Sequence, residues 1–170
     1  MEFQLEKCQL RELRETDAEA IVQHANNRKI WRNLRDRFPN PYSLTDAHQW
    51  IEITASEIPQ TTFAIVVNGE VSGGIGLIVG DDVYFRTAEI GYWLGEEHWG
   101  KGIIPEVVNA VAEYGFEHLK LLRIWAQVFA WNPASMRVLE KCGFINEGLL
   151  RQSVFKDGTA IDAVCYALIR

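Results

Sequence analysis

The chain has 170 residues, enough for one well-buried core and too few for two ordinary domains, so a single domain over residues 1–170 is expected. Hydrophobic residues make up 48% and charged residues 24%, close to globular averages, which excludes disordered and fibrous classes. A net charge of −6 argues against a general nucleic-acid binder, which needs a basic surface to neutralise phosphates.

Residues 3–13 read as a strand. "TDAE" at Thr16–Glu19 is a capping box that opens a helix through about Asn26. A second helix is expected from near Ser43, after the breakers Pro39 and Pro41, to about Glu57. "TFAIVVNGEVSGGIGLIV" then gives two β-rich runs around Asn68-Gly69, a strong hairpin signal, and "VYFRTAEIGYWLG" a further long strand. Apolar positions at helical spacing (Val107, Val108, Val111, Ala112, Tyr114, Leu119) predict a helix over 102–119, and "RIWAQVF" follows as a strand. "NPASMRVLEKCGF" is a short helix capped by Asn132, with Pro133 at its first position and Gly143 as C-cap. The last thirty residues form a hairpin about Asp157-Gly158. This order predicts an α/β domain with a mixed, mostly antiparallel sheet and helices on both faces.

No apolar run approaches the ~18 residues of a membrane span. The N-terminus "MEFQLEKCQL" lacks a basic start followed by an apolar stretch, so a cytoplasmic location without a membrane partner is expected. Cys8, Cys142 and Cys165 are far apart, with no C-x-x-C, and read as reduced structural thiols. His24, His48, His98 and His118 show no metal-ligand spacing along the chain, and no metal is expected.

"HWGKGIIPEVV", His98–Val108, carries the first chemical signal, because it follows a strand and begins a helix. Two glycines there leave backbone N–H groups free to face an anion with no Cβ in the way, and phosphate oxygens are the natural occupant. The bland alternative is a tight turn that merely needs positive φ. A dinucleotide fingerprint fails because its third glycine is Pro105, and a P-loop fails because Lys101 lies between the glycines instead of after them.

Three stretches together resemble the GNAT family of N-acetyltransferases, in its ribosomal-protein N-terminal acetyltransferase (RimJ/RimL) branch. "AEIGYWLGEEHWGKGIIPE" is similar to that branch's central strand and acyl-CoA pyrophosphate loop, "NPASMRVLEKCGF" to its second signature, and "LRELRETDAEAI" to its opening strand and helix. One departure is Glu97, where the family's loop usually has Gln or Arg.

The resemblance implies direct acetyl transfer from acetyl-CoA to an amine, with no metal. It implies that the amides of His98, Trp99, Gly100, Lys101, Gly102 and Ile103, with the helix dipole behind them, hold the pyrophosphate. The strand is implied to part from its neighbour, with Trp93 and Leu94 pairing with the pantetheine amides. Glu89 is then the candidate general base, with Gly91 leaving room beside it; its alternative is a solvent-facing strand glutamate. Asn132 is a helix cap that within the family also reaches the pantetheine or acyl group, and Ser135 is the candidate donor to the departing sulfur. Tyr114 and Tyr166 read as core. "RKIWRNLRDR" is either a solvated basic face or a contact for an acidic acceptor.

The expected acceptor is a protein or peptide α-amine. A small amine (polyamine or aminoglycoside) and a non-catalytic acyl-CoA-binding module stay open as alternatives. Plain nucleotide binding is disfavoured by the failed fingerprints. Both a monomer and a homodimer are compatible with the sequence.

Overall fold

The computed structural model describes residues 1–170, and its elements follow the expected order with two additions. The single strand expected over 3–13 is two short ones, β1 (Phe3–Gln4) and β2 (Gln9–Arg11), paired antiparallel. Leu5 N–H donates to the Cys8 carbonyl at 3.0 Å and closes the turn between them. A short helix, α2 (Arg28–Trp31), follows α1 (Ala18–Ala25), and the Asn27 side chain caps it by accepting from Lys29 N–H.

The capping box expected at Thr16–Glu19 is displaced. Asp17 accepts from Arg14 N–H at 2.7 Å, opening a one-turn 3-10 segment, and takes two bonds of 2.7 and 2.9 Å from the Arg11 guanidinium. Arg11 and Asp17 are both buried, so the carboxylate is committed to that pair; removing one partner would cost about 3–5 kcal/mol. Helix α3 (Leu44–Ala55) starts as expected, with Ser43 and Asp46 exchanging a capping box.

The remaining elements are β3 (Thr62–Val67), β4 (Glu70–Val79), β5 (Thr87–Leu94), α4 (Ile103–Glu117), β6 (Arg123–Phe129), α5 (Pro133–Lys141), β7 (Ile145–Lys156) and β8 (Thr159–Ile169). Both hairpin turns carry consecutive positive φ values, 52° and 87° at Asn68-Gly69 and 52° and 74° at Asp157-Gly158, as a type I′ turn requires. β5 begins later than expected because Asp82–Tyr84 winds into a 3-10 turn.

The sheet order is β1-β2-β3-β4-β5-β6-β8-β7. β5 and β6 pair in parallel, and α4 is the crossover that a parallel pair needs. The β1–β2, β2–β3, β3–β4, β6–β8 and β7–β8 ladders are antiparallel.

The chain divides into two compact units, Met1–Gly76 with Tyr92–Val107, and Leu77–Gly91 with Val108–Arg170. In the first, Ile21, Ile30, Ile51, Val66, Val71 and Trp93 pack as one core. In the second, Tyr114 and Tyr166 are buried, as expected of core residues. All three cysteines are thiols, and burial pushes Cys8 and Cys142 up to about 11. No helix is long and apolar enough to cross a membrane.

Candidate functional site

The candidate residues divide between the two units. In the first unit, the end of β5 runs through Gly95 into a 3-10 turn (Glu96–His98), then through Trp99–Gly102 into α4. Gly100 and Gly102 have φ of 74° and 76°, the left-handed region that excludes a β-branched side chain. A Cβ on Gly100 would meet nothing within 4 Å, so backbone conformation and not a crowded neighbour demands glycine there. A Cβ on Gly102 would lie 3.0 Å from the Lys7 Nζ. The loop is therefore open at Gly100, with the Lys7 ammonium beside Gly102.

Its donors are fewer than the sequence implied. His98 N–H donates to Gly95 O at 3.0 Å and Trp99 N–H to Glu96 O at 3.1 Å, so both amides serve the turn itself. The amides from Gly100 to Ile104 precede or open the first turn of α4, where a helix has no internal acceptors, and Pro105 brings none. The amides of His98 and Trp99 are thus engaged within the turn, and those from Gly100 to Ile104 are the ones without an acceptor inside the helix.

Trp93 also takes a different part from the one implied. Its ring is buried against Phe38 and Trp50, with centroids 5.7 and 6.1 Å apart. Its carbonyl lies so close to β4 that a Cβ on Gly73 would come within 2.4 Å of it. Two residues on, Gly95 N–H donates to Ser72 O of β4 at 2.7 Å, so the alternation of an antiparallel strand turns Trp93 toward β4 and Leu94 toward the opposite edge. The Leu94 carbonyl accepts the Trp99 indole N–H at 2.7 Å, which leaves the Leu94 N–H as that residue's donor.

In the second unit, the β5–β6 ladder covers Thr87 to Glu89 and stops at the pair Glu89–Trp125. Ile90 and Gly91 have no partner in β6, in keeping with the implied parting of the strand. Glu89 is half-buried, and Gly91 is exposed with open space where its Cβ would be. Burial raises the pKa of the Cys165 thiol on β8, with the charges of Glu147 and Glu89 adding to it and that of Arg123 opposing it.

Asn132 caps α5 by accepting from Ser135 N–H at 3.3 Å, with Pro133 in the first turn. Both are half-buried. The fold thus brings Asn132 and Ser135 together, as their spacing implied. Tyr166 donates to Glu140 at 2.8 Å, and burial with that bond raises its pKa.

Sequence reasoning missed Lys7, which reaches Gly102 from the turn between β1 and β2; nothing along the chain signals that approach. It also missed that His24 and His98 meet, with ring centroids 5.8 Å apart. Burial lowers the His98 pKa, against the opposing charge of Glu97, and its Nδ1 is buried without a hydrogen-bond partner.

Residues 7–145 match the model of an acetyltransferase (GNAT) domain. The chain is 33% identical to the uncharacterized N-acetyltransferase p20 of Bacillus licheniformis, covering 97% of this chain and 94% of the relative. Over 50% of its length it is 47% identical to the uncharacterized N-acetyltransferase YoaA of Bacillus subtilis, and it spans only about half the length of that relative, 48%. Some relatives carry acceptor names. The ribosomal-protein-serine acetyltransferase of Escherichia coli is 39% identical over 49% of this chain and 47% of the relative. The spermidine N(1)-acetyltransferase of Vibrio cholerae is 30% identical over 88% and 85%. Among solved structures, the fold matches that of RimL, a ribosomal alpha-N-protein acetyltransferase crystallised with coenzyme A, at a TM-score of 0.84 and 23% identity, covering 96% of this chain and 94% of RimL.

Proposed function

Because the chain belongs to the GNAT acetyltransferase family, we propose that it transfers an acetyl group from acetyl-CoA to the α-amine of a protein or peptide, acting as one domain over residues 1–170. The cosubstrate supplies the acetyl thioester. The Gly100–Gly102 turn fits its pyrophosphate, since positive φ at both glycines and the open space above Gly100 leave amides and no side chain to meet it. Lys7 and Lys101 add positive charge, and the Leu94 N–H pairs with the pantetheine arm.

Glu89 takes the proton of the attacking amine, directly or through water, and Ser135 donates to the leaving sulfur while Asn132 orients the acyl arm. A thiol of pKa about 8.5 leaves tolerably as thiolate, so Ser135 assists rather than decides.

One observation carries the α-amine reading: a strongly basic strip in an acidic protein. Along the stretch, Arg28, Lys29, Arg32, Arg35 and Arg37 outnumber the one acid, Asp36, in a chain of net charge −6, although the Lys29 ammonium is paired with Glu96. All five cations are exposed. Such a strip attracts a peptide with acidic residues after its N-terminus and repels a polycation. The relative named for spermidine favours a second reading, a polyamine acceptor, because its alignment covers most of both chains. The third possibility, an acyl-CoA-binding module without turnover, predicts coenzyme A binding with no thiol release on any amine.

A pH–rate comparison of the wild type with Glu89→Gln, at saturating acetyl-CoA, tests the reading. An α-amine of pKa about 8 is partly neutral at pH 7, whereas an amine near 10.4 is almost all cation. The general base matters most where little neutral amine exists. With an α-amine acceptor, the mutant's rate defect shrinks and is recovered by about pH 8–9; recovery only at higher pH indicates a polyamine or lysine. A defect constant across that range, or none, makes Glu89 structural. A peptide and amine library read by mass spectrometry then identifies the acceptor.

A further inference from the structure

We propose that His24, Glu97 and His98 form a binding site for a zinc-class divalent cation at the entrance to the glycine loop. One ligand atom from each residue lies within 4.8 Å of the others. His24 Nδ1 is 3.8 Å from one Glu97 oxygen and His98 Nε2 is 3.5 Å from the other. Both separations are long for a hydrogen bond. They run to different Glu97 oxygens and are somewhat longer than the edge of a tetrahedral site, where bonds of about 2.0–2.1 Å put donor atoms roughly 3.3 Å apart, so the exposed carboxylate would turn to bring one oxygen to both rings.

Two further features mark a built site. His24 is buried, and its Nε2 lies 3.0 Å from a Glu70 carboxylate oxygen. A carboxylate only accepts, so the Nε2 carries a proton, and the Nδ1, too far from Glu97 for a hydrogen bond, is the nitrogen a cation would take. That is the arrangement in which an outer carboxylate fixes the tautomer of a metal-binding imidazole. Gly95 keeps the approach to that nitrogen open, because a Cβ there would lie 2.6 Å from it. At His98, neither ring nitrogen is held by a close protein hydrogen bond, with Nδ1 unpartnered and Nε2 at 3.5 Å.

Two imidazoles and one carboxylate suit zinc, cobalt or nickel rather than magnesium or calcium, and three protein ligands leave a fourth position for water. The exposed Glu97 places that position toward solvent. The cation would tie α1 to the Glu96–His98 turn, from which the chain enters Gly100. This is a clamp on the turn, separate from acetyl transfer.

Titration of the chelator-treated full chain with Zn²⁺ is expected to show one ion bound per chain. Hydrogen exchange over residues 95–99 should slow on binding. Glu97→Gln, a change at an exposed side chain, should weaken the affinity at least tenfold, as should His24→Gln. Glu70→Gln, which touches no metal, should weaken it about 10–100-fold. The Co²⁺ form should show visible bands of nitrogen and oxygen ligation without thiolate charge transfer. No Zn²⁺ binding overturns the proposal, as does binding unchanged by Glu97→Gln. Thiolate bands in the Co²⁺ form overturn it too, by moving the ion to a cysteine. Should His24→Gln fail to fold, Glu97→Gln and Glu70→Gln decide.

Discussion

The turns that lead β5 into α4 and β6 into α5 are built in opposite ways. The turn into α5 satisfies itself: Asn132 accepts from Ser135 N–H, and Pro133 has no N–H to satisfy. The turn into α4 does not, since Gly102, immediately before the helix, has no side chain with which to cap it. The backbone donors of α4 are left for an outside anion, whereas at α5 the side chains are what remain for chemistry. In the proposed function, the first turn binds the cosubstrate and the second helps the reacting groups.

The strongest way to break that contrast is Gly102→Val. A β-branched residue at φ near 76° pulls the turn away from its conformation and displaces the Lys7 ammonium. Losing two charge-assisted bonds of about 1.5 kcal/mol each corresponds to a rise of roughly 10²-fold in the KM for acetyl-CoA. Circular dichroism checks that the variant is folded. A folded variant with unchanged coenzyme A affinity would remove the loop from the binding site.

Ser135→Ala tests the other turn. Acid assistance typically contributes about 10²–10⁴-fold, and a good thiolate leaving group puts Ser135 at or below the lower end. The expected outcome is a kcat reduced by at most roughly 10²-fold with an unchanged KM for acetyl-CoA, measured by thiol release. A wholly inactive variant that binds coenzyme A normally would make Ser135 essential.

Asn132→Ala separates capping from chemistry at the same turn. Loss of the cap costs about 1 kcal/mol, or a Tm lower by about 2–4 °C for a chain of this size. Asn132→Asp keeps an acceptor for Ser135 N–H but loses the amide donor. If Asn132 acts only as a cap, the aspartate variant restores both stability and rate. If it also orients the acyl arm, stability returns and the rate does not.

What the sequence disclosed, and what it hid, follows from how local each signal is. Asn68-Gly69 and Asn132-Pro133 specify their turns within a few residues, and both are where the sequence put them. The capping box at Thr16 failed because Asp17 answers to Arg11, six residues back and buried with it. The split of the first strand and helix α2 are short features with no periodicity long enough to read. Trp93 was legible as part of the strand but not in its facing, which depends on the register of β4 against β5. The meeting of His24 with His98, and of Lys7 with Gly102, is purely tertiary.

Lys7→Gln gives the smallest expected effect and sharpens the comparison most finely. The ammonium lies over Gly102 at a loop whose donors are otherwise backbone, so it supplies charge without defining the geometry. Lys7 is exposed, and an exposed charge in water contributes weakly and is screened within about 8 Å at physiological ionic strength. The expected outcome is a KM for acetyl-CoA raised about two- to fivefold at low salt, with kcat unchanged, and a difference that fades as salt is added. Kinetics in a salt series would show it. If the defect persists at high salt, Lys7 makes a close, desolvated contact with the pyrophosphate. If there is none at any salt, the loop binds through its amides and Lys101 alone, and Lys7 only fills the space that Gly102 leaves open.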